Sequence, residues 1–148
     1  MDFALLSSAP EETEDLGRHL GRLLRGDELV LVSGELATGK TVFIKGLASG
    51  LDIPAGDVVS PSFVLMNLYH GRHVLYHFDL YRLGTMPGSL ENPVDERIGA
   101  GVLAVEWAQY LDPSYFSLAN AVAVHIKQVD AGRRRITVHS LLPHIAKP

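Results

Sequence analysis

Apolar residues change their spacing several times along this chain, and each change marks an element. Leu16, Leu20, Leu23 and Leu24 recur on one helical face, which predicts an amphipathic helix behind Pro10. Ser8 and Glu11 have capping-box spacing at its start, and Gly26 supplies a stop. Residues 28–33, ELVLVS, form a short apolar run suited to a buried strand. Residues 41–51 return to helical spacing, with Phe43, Leu47 and Leu51 on one side. Residues 62–69 and 74–81 then read as two strands around His70-Gly71-Arg72-His73, a hairpin. Residues 84–100 are rich in Gly, Pro, Ser and Asn and predict a loop with at most a short helix near 94–98. Another buried strand, 102–105, ends in Glu106-Trp107. In the tail, Val122, Val124 and Ile126 alternate, then Ile136 and Val138 follow a turn at 130–132, which predicts a C-terminal β-hairpin. The expected fold is a single α/β domain over residues 1–148, with a mixed, mostly central sheet flanked by helices.

Composition narrows what such a domain does. At 148 residues, one buried core is the natural organisation. With no cysteine, disulfides, thiolate metal sites and cysteine nucleophiles are excluded. The start, MDFALLSSAP, lacks a basic leader and makes a poor signal peptide, and no apolar run approaches a bilayer span, so a cytoplasmic protein without membrane contact is expected. A net charge of −4 argues against a protein that grips nucleic acid by itself. The one dense basic run, Arg133-Arg134-Arg135, reads as a solvated hairpin tip.

The chemistry concentrates in GELATGKT, residues 34–41, between the predicted buried strand and a helix. Gly34 and Gly39 permit close backbone approach, so main-chain N–H groups of Leu36, Ala37, Thr38, Gly39, Lys40, Thr41 and Val42 can converge on phosphate oxygens. Lys40 adds a mobile positive charge and Thr41 a hydroxyl for Mg²⁺. Glu106, at the carboxyl end of a neighbouring apolar strand, is the candidate second acid of a metal–nucleotide site. Strand alternation places His77, Asp79 and Tyr81 on one face, where Asp79 could orient water or a metal-bound water and Arg82 could meet phosphate charge or pair with an acid. Ser60 and Ser62 flank Pro61, in a strand start or a phosphate-sensing loop. His70, His73 and His77 fall on different elements, which argues against a transition-metal centre.

The ordered set ETEDLG, GELATGKT, SPSF, HFDLYRL and VEW, over roughly residues 12 to 107, resembles the TsaE (YjeE) family, small ATPases of bacterial tRNA threonylcarbamoyladenosine biosynthesis. The resemblance implies a P-loop NTPase fold and Mg²⁺-dependent binding and hydrolysis of ATP. It also implies partnership with TsaB and TsaD, tRNA being met indirectly and the threonylcarbamoyl transfer itself belonging to TsaD. It maps the family's loop to Gly39, Lys40 and Thr41, its acidic strand end to Glu106 beside Trp107, and its strand motif to His77, Asp79, Tyr81 and Arg82. Thr13 is implied to pack near the base. Three loop positions depart from the family: Ala37, Thr38 and Val42. If position 37 needs a positive φ, alanine strains the loop by about 1 kcal/mol. Pro93, after Ser89–Asn92, interrupts the helix expected there. Two other functions share this loop: a small P-loop kinase for a nucleotide or small molecule, and a binding module that keeps ATP as a structural ligand. Between the loop and the tail the arginines are only Arg72, Arg82 and Arg97, too few for a kinase-type lid.

Overall fold

The structure, a computed structural model, describes residues 2–35, 37–61, 66–85 and 93–148. Its strands are β1 (Asp2–Ser7), β2 (Leu29–Gly34), β3 (Met66–His70), β4 (Val74–Asp79), β5 (Val102–Glu106), β6 (Ala121–Asp130) and β7 (Arg133–Ser140). Its α-helices are α1 (Pro10–Leu23), α2 (Lys40–Gly50) and the single turn α3 (Tyr81–Thr85). All seven strands join one sheet in the order β1-β7-β6-β2-β5-β4-β3. The centre is parallel: β2 pairs with β5 and β6, and β5 with β4. The outer pairs, β3–β4, β6–β7 and β1–β7, are antiparallel. This is the mixed α/β sheet with a C-terminal hairpin that the apolar spacing predicts.

The continuous apolar runs become the central strands because these are covered on both faces. Val30, Val32, Val124, Ile136 and Val138 face α1 and α2. Leu29, Leu31, Leu103 and Val105 face a second cluster with Phe78, Trp107 and Leu111. α1 and α2 meet backbone to backbone. A Cβ on Gly46 would lie 2.0 Å from the Glu14 carbonyl oxygen, and one on Gly17 2.2 Å from that of Phe43. Arg72, in the β3–β4 turn, donates to the Gly21, Leu24 and Gly50 carbonyl oxygens, satisfying both helix C-termini at once. Among the described residues no helix is long and apolar enough to cross a membrane.

Several expectations are corrected. α1 is not capped by Ser8 and Glu11. The residue before a proline is forced to extended geometry, so Ala9 (φ −157°, ψ 155°) becomes the N-cap, and Glu12 instead accepts from the Ser8 main-chain N–H at 3.2 Å. α1 ends at Leu23, ahead of Gly26. β1 is an additional strand, pairing Asp2–Ser7 with β7. β4 stops at Asp79, whose carboxylate accepts from the Tyr81 N–H at 2.9 Å, so Tyr81 starts a helical turn rather than sharing a strand face with His77. By contrast, the short helix expected near 94–98 is present, as a 3₁₀ turn at Asp95–Arg97. Leu36, Ser62, the first part of the strand expected from 62 to 69, and the Ser89–Asn92 segment lie outside the described residues.

Candidate nucleotide site

The glycine loop joins the buried strand β2 to α2, and among its described residues Ala37 (φ 61°) and Gly39 (φ 104°) have left-handed backbone. Alanine at position 37 thus occupies the strained geometry anticipated for it. Gly34 is required for a different reason: a Cβ there would meet the Ile126 carbonyl oxygen at 2.5 Å. Side chains brace the loop from beneath. Thr38 Oγ1 donates to the Glu35 carbonyl at 2.9 Å, and Gln109 Nε2 donates to that of Gly34 at 2.9 Å. Lys40 Nζ turns inward, donating to the Gly34 carbonyl at 3.0 Å and to that of Glu35. It lies 4.0 Å from the Trp107 ring centroid. Burial pushes the Lys40 ammonium below its ordinary value, against the pull of Glu106, Asp79 and Glu35. Trp107 stacks on Tyr110 at 5.7 Å between centroids and tilts against Tyr81 at 5.0 Å.

Opposite the loop stand two carboxylates on adjacent parallel strands, Asp79 and Glu106, directly paired in register. Glu106 is buried and both of its oxygens are engaged. Oε1 accepts from the Thr41 hydroxyl at 2.8 Å, and Oε2 lies 2.6 Å from His77 Nε2. A carboxylate accepts here from a His77 tautomer that carries its proton on Nε2. His77 is fully buried and sits behind Glu106, where its Nδ1 has no hydrogen-bond partner among the described residues. Asp79 accepts from Ser60 Oγ at 3.1 Å as well as from Tyr81 N.

These groups surround one pocket of about 470 Å³. It is lined by Ala37, Thr38, Gly39, Lys40, Thr41 and Val42 of the loop, and by Ser60, Asp79, Tyr81, Arg82, Glu106 and Trp107 across from it. Of the remaining predicted residues, His77 supports the wall from within. Thr13 lines a second pocket of about 420 Å³ that adjoins the first, the two sharing Ala37, Thr38, Gly39 and Val42. There Thr13 Oγ1 lies 2.7 Å from Ser7 Oγ.

Two site residues escaped the sequence reading. Gln109 carries no sequence signal; it follows Glu106 into a 3₁₀ turn that happens to reach Gly34. Arg134 was expected at a solvated tip, yet its Nε donates to the Thr38 carbonyl at 3.1 Å. A signal for it existed, since Ile136 and Val138 point inward and alternation carries Arg134 to the same face.

The donor set suits Mg²⁺ accompanied by a nucleotide. Thr41 spends its proton on Glu106 and keeps its oxygen lone pairs, and the neighbouring ligands are oxygens, as a hard cation prefers. Among the described residues no cluster of three or more His, Cys, Asp or Glu could hold a metal, and a Mg²⁺ held here with a nucleotide would take its other ligands from phosphate and water.

A glycine loop between a buried parallel strand and a helix, with lysine and threonine opening that helix and an acid ending the adjacent strand, defines a P-loop nucleotide-binding domain. The crystal structure of Bacillus subtilis YdiB shares this architecture, with a TM-score of 0.73 and 26% identity, covering 96% of this chain and 87% of that one. The chain belongs to the TsaE family: residues 7–136 match the model for threonylcarbamoyl adenosine biosynthesis protein TsaE. Among its relatives, the tRNA threonylcarbamoyladenosine biosynthesis protein TsaE of Treponema pallidum is 37% identical over 90% of this chain and 97% of its own. That of Aquifex aeolicus is 32% identical, covering 91% of this chain and 94% of its own.

Proposed function

We propose that residues 1–148 form a single ATP-binding and ATP-hydrolysing domain, Mg²⁺-dependent and cytoplasmic, that supports N6-threonylcarbamoyladenosine modification of tRNA together with TsaB and TsaD. Family membership supports the pathway. The observation that carries the chemistry is the 2.8 Å bond from Thr41 to Glu106, which joins the loop to the acid wall inside one pocket with Lys40.

In this reading the loop N–H groups, from Leu36 to Val42, receive the phosphates. Lys40 leaves the Gly34 and Glu35 carbonyls for the outer phosphates. Thr41 and Glu106 are the residues that would hold Mg²⁺, Glu106 either directly or through water while it fixes the Thr41 hydroxyl. Bound with the nucleotide, Mg²⁺ supplies neutralisation of developing phosphate charge. Asp79 orients the attacking water, whose oxygen bonds to the γ-phosphorus as the bond to the β–γ bridging oxygen breaks, giving ADP and phosphate. Arg82 meets charge on the transferred group, His77 holds Glu106, and Ser60 ties its loop to Asp79. Ser62 remains a candidate beside it on its sequence position alone. Trp107 and Tyr81 form the apolar wall, and Thr13 lies on the base side. The net charge of −4 supports leaving tRNA contact to the partners.

Turnover of Mg-ATP measured alone and with TsaB and TsaD tests this. Slow hydrolysis that rises on adding both partners is expected. Binding without hydrolysis under either condition would leave a structural ATP ligand instead, and transfer of labelled phosphate to an acceptor other than water would leave a kinase.

A further inference from the structure

We propose that Arg134, on the C-terminal hairpin and far in sequence from the loop, is a positioning residue for the phosphate loop. This makes the hairpin part of the nucleotide site. The inference rests on the reading above, that the loop receives a triphosphate.

Three observations carry it. First, alternation splits the basic run between two faces of the sheet. Arg134 shares the helix-covered face with Ile136 and Val138, whereas Arg133 and Arg135 are exposed on the other. Arg134 lies opposite Ser7 of β1, beside Thr13 and the loop. Second, its Nε donates to the carbonyl of Thr38, the residue between left-handed Ala37 and Gly39. The other braces, from Lys40 and Gln109, act on the Gly34 and Glu35 carbonyls at the base of the loop. The crest is therefore held from the hairpin. Third, a peptide group is planar and trans, so its C=O and the following N–H point in opposite directions. Drawing the Thr38 carbonyl toward Arg134 aims the Gly39 N–H the other way. Arg134 lines the cavity that adjoins the pocket of Lys40, Thr41 and Glu106 along Ala37, Thr38, Gly39 and Val42. The guanidinium thus acts on a phosphate-binding donor through the Thr38–Gly39 peptide. It also holds a loop in which alanine occupies a conformation better suited to glycine.

The test uses the full chain and two ligands, Mg-ATP and magnesium tripolyphosphate, titrated by calorimetry. Four proteins are compared: wild type, Arg134→Met, Arg134→Lys and Arg135→Ala. Methionine keeps the aliphatic stem and removes every donor, so the fold survives the change. Arg134→Met should weaken both ligands equally, by about tenfold or more, as expected for losing a charged hydrogen bond. Arg134→Lys should recover part of the loss. Arg135→Ala removes the same charge one residue away on the opposite face, and should leave both affinities unchanged.

Equal losses in Arg134→Met and Arg135→Ala would reduce the effect to long-range charge and overturn the proposal. So would loss of ATP affinity with tripolyphosphate affinity kept, since the side chain would then meet the base. A lowered melting temperature with both affinities intact would make the role structural only, and would equally overturn it. Wild-type protein that binds neither ligand would instead bring down the underlying nucleotide reading.

Discussion

On the acid side of the pocket, Glu106 of β5 is bonded both to His77 of the adjacent parallel strand β4 and to the Thr41 hydroxyl at the start of α2. On the loop side, Lys40 spends its donors on the protein's own carbonyls, and Ala37 is held at φ 61°. The acid wall is ready before any ligand arrives. In the proposed reading the loop is the part that changes partners, with Lys40 turning donors from the Gly34 and Glu35 carbonyls toward phosphate. The difference separates groups whose removal harms binding from groups whose removal harms the fold as well.

The largest effect is expected at the loop. Lys40→Ala should weaken Mg-ATP binding about 100-fold, the scale of losing charged hydrogen bonds worth about 1.5–3 kcal/mol each, with little change in the urea midpoint. Unchanged affinity by calorimetry would remove the lysine from its role. Raising the pH should approach the same loss in the unmodified protein. Burial lowers the Lys40 pKa, so its charged form, the one that meets phosphate, is lost below the ordinary lysine range. Affinity titrated from neutral to alkaline pH should fall early, whereas a fall confined to the ordinary lysine range would contradict this assignment.

The acid wall should respond in both stability and activity. Glu106→Ala leaves the His77 N–H and the Thr41 hydroxyl without an acceptor, at about 1–3 kcal/mol for each buried group. Its urea midpoint should drop and Mg²⁺-dependent turnover should vanish. Glu106→Gln retains an acceptor and should recover part of the stability with none of the turnover. Recovery of both would mean that the charge is dispensable. Next in size, Gly46→Ala forces a Cβ against the Glu14 carbonyl and should destabilise by about 1–3 kcal/mol, and a neutral result in urea would disprove the tight helix contact. Smallest is Ala37→Gly. It relieves about 1 kcal/mol of left-handed strain and returns much of that as unfolded-state entropy, so a melting shift of only a degree or two upward is expected.

The parts of this site legible in the sequence are those whose chemistry is local. Lys40 and Thr41 are recognisable because strand, glycines and helix follow one another within the loop's own span, and Glu106 because four apolar residues lead to it. Partners across the sheet were not legible. Nothing at His77 announces that register with β5 will bring its ring to Glu106, and nothing at Gln109 points to Gly34. β1 has no signature of its own, because an edge strand with alternating exposure gains its identity from β7, more than a hundred residues away. Tyr81 leaves the strand that alternation predicts because one capping carboxylate ends β4 two residues early.

The glycine contact between α1 and α2 gives the site a mechanical property. A side chain at position 17 would press on the Phe43 carbonyl in the first turn of α2, so the spacing of the two helices and the turn that carries Lys40 and Thr41 are set together.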